Sequence, residues 1–364
     1  MTLETDQAAR PEPTLSPIRP LTLGDDLLTT DNNLFLAPMA GASELCYRQI
    51  CRRFGAGATV TELVSARGIR YGGINRKNIR YIEIDPKENP VFIQLFGFDP
   101  DDFVAACNTI LDHPLLSQCA GVDINMGCPV PKVTKTGAGA GLMKTPETAA
   151  RIARVSADLL HSVGKPLTVK FRKGFANGDN SAAEFAKRML DAGADMLTVH
   201  GRTASMMYGG QADWSCIREV VLAAKAAGLR SNSRSSPVPV IANGDIKDPD
   251  SMNAAFRQTG AQGVMIGRAA QGNPWLFRNL IEGRSTKPGV AEMSPVILEH
   301  LDGLIRARGE RVALPEFRKT LIWYTKGTPG AVELRRRAVE IESRDDVVTL
   351  LTEWRGWADH ANPC

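Results

Sequence analysis

Val122-Asp123-Ile124-Asn125-Met126-Gly127-Cys128-Pro129 reads as a short apolar strand that runs into a thiol. Gly127 tolerates backbone angles closed to other residues and lets a flat ligand approach the main chain. Pro129 biases Cys128 towards an extended backbone, which aims its side chain. Taken alone, this thiol has a plain alternative, a buried structural cysteine. The decision lies in the rest of the chain, because the strand is one of a series. Short, almost unbroken apolar runs recur at Leu34–Pro38, Thr59–Leu63, Val91–Leu95, Val122–Asn125, Leu167–Phe171, Met196–Val199, Val238–Ala242 and Gly263–Ile266. Their lack of alternation is what parallel strands covered on both faces require.

Apolar residues at helical spacing fill most of the gaps, at Ser43–Phe54, Pro100–Leu111, Pro146–Ser162, Ser181–Ala192, Trp214–Ala227, Pro249–Thr259 and Pro274–Ile281. Asp99-Pro100, Thr145-Pro146 and Asp248-Pro249 supply a cap and a first-turn proline. Ser65–Arg80 is polar and less clearly helical. Eight βα units predict an α/β fold, a (β/α)8 TIM barrel. The alternative is a doubly wound open sheet, but Pro38-Met39-Ala40-Gly41-Ala42-Ser43 after the first strand is not its GxGxxG turn. Beyond Gly289 the strands stop. Pro295–Arg308, Pro315–Thr325, Pro329–Ile341 and Arg344–Trp357 predict a smaller all-helical C-terminal domain. The expected division is a poorly ordered N-terminal tail at 1–31, the barrel at 32–288 and the helical domain at 289–364. A flexible loop is expected at Arg230–Pro237, which is rich in serine.

A chain of 364 residues can hold one large domain and a smaller one. With 43% hydrophobic and 23% charged residues it is an ordinary globular sequence, not a disordered one. A net charge of +4 permits a nucleic-acid partner without requiring one, so the distribution of charge carries the argument. The 7 cysteines include no CxxC pair, and no histidine stands at zinc-finger spacing from them. No structural metal is therefore expected, and the thiols fit a reduced, cytoplasmic protein. No apolar run is long enough to span a bilayer, and the start of the chain lacks a signal peptide's pattern.

Barrel enzymes gather their chemistry at the C-terminal ends of the strands. Here those ends offer Pro38, Met39 and Ala40, then Gln94, then Asn125 and Cys128. Lys170 and Arg172 follow, then His200 and Arg202, then Asn243, Gly244 and Asp245, and finally Gly267 and Arg268. So many polar residues converging on one face are hard to explain as packing, since each needs a partner when buried. Gly244 and Gly267 can turn backbone N–H groups towards an anion and Arg268 adds a charged fork, although tight turns alone would also use glycine. A phosphate there could belong to a sugar phosphate or a flavin. Gln94 and Lys170 favour the flavin, whose ring needs an amide and a cation at its polar edge. Met39 offers a polarisable surface to a flat ring.

These blocks resemble the tRNA-dihydrouridine synthase family, in its bacterial DusB-like branch. APMAG, DINMGCP with its trailing GAGLM, VKFRKG, VHGRT, IANGDI and IGRAAQGNPW stand in the family's order, and FRKTLIWYTKGTPGAVELRR is similar to its helical RNA-binding domain. The resemblance implies FMN contacts at Pro38, Met39, Ala40, Gln94, Lys170, His200, Asn243, Gly244, Asp245, Gly267 and Arg268, with Cys128 as the catalytic acid. It implies NADPH as reductant and reduction of the uracil C5=C6 bond of tRNA, in the D-loop. Hydride would pass from flavin N5 to C6 and a proton from Cys128 to C5. Asn125 would then hold the uracil edge, and Arg202 is expected to contact the substrate. A thiol suits the task of donor because its ordinary pKa of about 8.5 keeps it protonated near neutrality. The target base must leave its stack, so a phosphate grip beside the barrel is expected. Arg306, Arg308, Arg311, Arg318, Lys319, Lys326, Arg335, Arg336 and Arg337 face only Glu310, Glu316 and Glu333 in that stretch. A solvated helical face is the alternative there, but Trp323 and Tyr324 lie among the cations. Arg335, Arg336 and Arg337 are the expected tRNA contacts. Arg67, Arg70, Arg76, Lys77 and Arg80, with Tyr71 and Tyr81, offer a second grip. A monomer is expected. Two rival functions remain: an FMN-dependent reductase of a free pyrimidine, which needs no basic appendage, and a tRNA-binding protein with a non-catalytic folding role.

Overall fold

Runs of valine, isoleucine, leucine and phenylalanine gain most where both faces of the strand are covered. In the computed structural model, which describes residues 17–228 and 237–361, they form a closed parallel barrel. A short antiparallel hairpin, β1 (Leu21–Leu23) and β2 (Leu28–Thr30), precedes it. The barrel strands are β3 (Leu34–Leu36), β4 (Ala58–Val60), β6 (Val91–Phe96), β7 (Gly121–Met126), β8 (Leu167–Arg172), β9 (Met196–His200), β10 (Val240–Asn243) and β11 (Gly263–Ile266), and β5 (Val64–Ser65) extends the rim beside β6. Pairing of β11 with β3 and of β4 with β6 closes the ring. The register sets Gln94 beside Asp123, Asn125 beside Lys170 and His200 beside Asn243. Polar residues from neighbouring strands thus meet at one height near the C-terminal end.

The helices in chain order are α1 (Leu45–Arg53), α2 (Ala66–Gly72), α3 (Ile79–Ile82), α4 (Pro100–Asp112), α5 (Pro131–Thr134), α6 (Pro146–Ser162), α7 (Ala182–Asp191), α8 (Trp214–Gly228), α9 (Pro249–Thr259) and α10 (Trp275–Glu282). After them come α11 (Val290–Arg308), α12 (Glu310–Tyr324), α13 (Ala331–Ala338) and α14 (Arg344–Ala361), with no strand among these described residues. Asp99 and Asp248 cap α4 and α9 as expected, whereas Thr145 makes no side-chain cap at α6. The α11 and α12 helices begin five residues before the prolines expected to start them, so Pro295 and Pro315 lie inside. An interior proline loses one backbone bond. Buried Met293 ahead of Pro295, and Ala313 and Leu314 ahead of Pro315, keep the extra turns packed.

The expected tail at 1–31 needs correction. Residues 1–16 lie outside the described residues, but the hairpin falls within that stretch. Leu21 and Leu23 join Phe35, Val60, Phe92, Met196, Ile241 and Met265 in a core inside the barrel. Asn33 fixes the hairpin's base, donating to the carbonyls of Pro17 (2.9 Å) and Gln262 (2.7 Å). The hairpin therefore plugs the N-terminal end of the barrel. The serine-rich segment 230–236 lies outside the described residues.

A second core between strands and helices continues without a break into α11–α14. At that junction Glu44, at the N-cap of α1, is paired with His300 of α11, whose other ring nitrogen meets the Tyr324 hydroxyl of α12 at 3.0 Å. Burial alone would raise the Glu44 carboxyl, but the charge and hydrogen bond of His300 outweigh it and hold it below its ordinary value. Gly272 lies directly under the backbone of Trp323 and Tyr324, where a Cβ would come within 2.4 Å of the Tyr324 nitrogen.

Candidate active site

Cys128 is held by the backbone around it. The Asn125 side-chain oxygen accepts from the N–H groups of Gly127 (3.1 Å) and Cys128 (2.8 Å), closing a tight turn at the end of β7. From the other side, the Cys128 carbonyl accepts from the Ala140 N–H at 3.0 Å. Gly139 makes that approach possible. Its φ is +58°, and a Cβ there would lie 2.8 Å from the Cys128 carbonyl oxygen. The downstream GAGLM block is thus the seat of the thiol. Burial pushes the Cys128 thiol up, against the opposing pull of the Val130 backbone, Arg172 and Lys170.

Beside the thiol lies a chain of buried polar groups. Thr168 donates to one Asp123 oxygen (2.5 Å), Gln94 donates to the other (2.6 Å), and Asn125 donates to the Gln94 oxygen (2.9 Å). Burial raises the Asp123 carboxyl, and its bonds to Thr168 and Gln94 counter part of that rise. Lys170 points its ammonium at the Asn243 oxygen (3.0 Å), while the Asn243 amide donates to the Met265 carbonyl (2.8 Å). Desolvation first, and Arg172 second, lower Lys170 to about 8. His200 is held well below its ordinary range by burial and by the cations of Lys170, Arg172 and Arg202, so its imidazole is neutral. Arg172 bridges three backbone carbonyls, those of Gly127, Thr203 and Met207.

Towards β10 and β11, Gly244 (φ +116°) and Asp245 (φ +57°) form a turn closed to most side chains. A Cβ on Gly244 would strike Ala212 at 2.7 Å. Arg268 stays 53% exposed, 3.5 Å from Asp245, as a charged group open to an anion. Across from it, Pro38, Met39 and Ala40 leave β3, and the Met39 sulfur lies near Gly267.

Two expectations change in detail. Arg202 is 2% exposed and donates to the Gly209 and Gly210 carbonyls and to both Asp245 oxygens. The substrate contact expected of it is therefore corrected: it orders the loop after β9. Asp245 likewise directs its carboxylate to Arg202 and to the Ala212 N–H (2.7 Å), which leaves its backbone for a ligand. Arg335, Arg336 and Arg337 lie apart, on α13. Arg336 pairs with Glu333, Arg337 pairs with Glu353, and Arg335 donates through Nε to the Ala331 carbonyl.

Asp123 and Thr168 were not among the expected site residues, and neither was Glu62. An acid within an otherwise apolar strand was the available signal for Asp123. Glu62 follows β4 and accepts from the Gly41 N–H at 2.9 Å, and burial raises its carboxyl.

The residues fit a flavin phosphate and a flat, polar-edged ring. A desolvated ammonium with three donors at the mouth calls for acceptor oxygens. The glycine turns and Arg268 supply the anion end. No helix among the described residues is long and apolar enough to cross a membrane. The profile of the dihydrouridine synthase (Dus) family matches residues 35–355. Probable tRNA-dihydrouridine synthase 1 of Synechocystis sp. is 38% identical over 94% of this chain and 91% of its own length. The tRNA-dihydrouridine synthase B of Pseudomonas aeruginosa is 34% identical over 87% of this chain and 91% of its own. Among solved structures, a variant of NCR from Zymomonas mobilis superposes with a TM-score of 0.51 at 18% identity, covering 77% of this chain and 95% of that one. That likeness concerns the fold alone. On its sequence profile, with a seated thiol and a lysine–amide cluster at the barrel mouth, the chain belongs to the dihydrouridine synthase family.

Proposed function

We propose that this chain is a tRNA-dihydrouridine synthase that reduces the C5=C6 bond of D-loop uridines in tRNA. The observation that carries the reading is the turn in which Asn125 both seats the Cys128 thiol and bonds Gln94. Bound FMN, reduced by NADPH, would supply a hydride for uracil C6. The chain's residues do the rest. Gly244, Gly267 and Arg268 hold the phosphate, with the Asn243 and Asp245 backbone closing the turn. Gln94 and Lys170 would hold the polar edge of the ring, Pro38, Met39 and Ala40 would hold its face, and neutral His200 would complete the wall. Asn125, with one amide hydrogen beyond its bond to Gln94, meets the base edge. Cys128 delivers its proton to C5, and burial keeps that proton in place until it is needed. A nucleophilic cysteine needs the opposite setting, one that favours thiolate.

Dihydrouridine mapping in tRNA from cells lacking the gene tests the substrate. D-loop positions should lose the modification, and the wild-type gene should restore it. Purified Cys128→Ala should retain FMN and tRNA binding while dihydrouridine formation falls by roughly 10²–10⁴-fold, the usual worth of a positioned acid. Full activity in that variant removes Cys128 from the acid role, and unchanged tRNA in the deletion removes tRNA as the substrate.

A further inference from the structure

The segment from Ala66 to Ile82 holds five cations, Arg67, Arg70, Arg76, Lys77 and Arg80, and no acid. It begins at the barrel mouth, because β5 pairs Val64 and Ser65 with Leu95 and Phe96 at the end of β6. Ser65 caps α2 through the Gly68 N–H. Ala66, Ile69 and Ile82 face inward and are buried, so the cations are left outside. Tyr71 is 70% exposed, the guanidinium carbons of Arg67 and Arg70 standing 5.7 Å and 5.3 Å from its ring centre. Arg70 is anchored by Asp102 of α4 at 2.9 Å, which fixes the tyrosine's neighbour and so the direction of the ring. Packing does not explain an aromatic ring left open between guanidinium groups. A phosphate-linked chain of flat bases does, because it brings anions for the cations and a π-face for the ring.

The other flank of the mouth carries a similar pairing. On α12, Lys319 stands 4.7 Å from the Trp323 ring, and its ammonium lies beside Gly41 in the loop after β3. On α3, Arg80 donates to the Tyr81 hydroxyl and its guanidinium carbon stands 4.7 Å from that ring's centre. Cations paired with rings thus stand on α2, α3 and α12.

Resting on the proposed tRNA substrate, we propose that α2 and α3 form a second RNA-contacting surface at the rim of the barrel mouth. Tyr71 stacks on an unpaired base next to the extruded uridine, and Arg67 and Arg76 hold neighbouring phosphates.

The test uses the full-length flavoprotein with unmodified tRNA transcripts and with a blunt RNA duplex, across a salt series. Tyr71→Ala should weaken tRNA binding by about tenfold with the salt slope unchanged, Tyr71→Phe should bind as wild type, and duplex affinity should not move. Arg67→Gln combined with Arg76→Gln should lower the salt slope by about 0.9 for each phosphate that is no longer neutralised. Since Tyr71 is exposed, the variant keeps its fold, which an unchanged melting temperature and flavin content verify. Equal tRNA affinity for Tyr71→Ala and wild type overturns the stacking surface. An equal weakening on the duplex also overturns it, because that effect is not stacking. If the wild type forms no dihydrouridine and Tyr71→Ala still weakens binding to tRNA alone, the surface stands and the enzymatic reading falls.

Discussion

Lys170 is a cation kept where charge is disfavoured. Desolvation brings it to about 8, so near neutrality it holds its proton and above that value it loses it. A ring edge of carbonyl oxygens is bound by the ammonium and not by the amine. FMN affinity of the cofactor-free protein should therefore fall as pH rises through about 8, read by fluorescence quenching. Lys170→Met should bind more weakly at pH 7 and show no such step; a step of the same size in the variant assigns it elsewhere. At this scale much of the site is legible in the sequence. Gln94, Lys170 and Asn243 are polar residues in or at the end of apolar strands, and Cys128 follows the end of another. Asp123 is harder to see, since its partner Thr168 belongs to the next strand and only pairing brings the two together. Arg202 reads as a ligand contact because its charge is visible in the sequence, whereas the two loop carbonyls that absorb it are not.

Among the elements, the β1–β2 hairpin shows how a short segment escapes notice. Its strands have three residues each, too few for a periodic signal, and polar sequence precedes them. Only the open end of the barrel gives Leu21 and Leu23 somewhere to go. Leu23 is fully buried there, so Leu23→Ala should cost roughly 2–5 kcal/mol, seen as a lower urea midpoint at unchanged slope. A loss below about 0.5 kcal/mol, the ordinary range for surface substitutions, would show that the hairpin is not part of the cooperative core. The starts of α11 and α12 are obscured for a different reason. Proline marks a helix start so often that an interior proline is misread, and what keeps the preceding turn helical is packing contributed by other elements.

For the whole molecule, the number of cations in the helical region overstates the available grip. Arg336 and Arg337 already have acidic partners, whereas among the described residues Arg335 bonds only a backbone carbonyl. Replacing Arg335, Arg336 and Arg337 by glutamine should weaken tRNA binding and flatten its salt dependence, with Arg335→Gln alone producing most of the change. An unaltered slope in the triple variant would take α13 out of the interface. The sequence shows the excess of cations here, but only the folded chain shows which of them are already matched.

The joint between barrel and helices carries a further consequence. Glu44, His300 and Tyr324 form one buried chain across it, and Gly272 admits no side chain beneath α12. A junction closed by a buried hydrogen-bonded chain and direct backbone contact has little room to pivot. The separation between the cationic helices and Cys128 is then a constant of the protein, like the gap of a fixed-jaw calliper. On the proposed substrate, such an enzyme chooses its uridine by measuring: the base that reaches the thiol is the one standing at the set distance from the gripped backbone, whatever its neighbours in sequence.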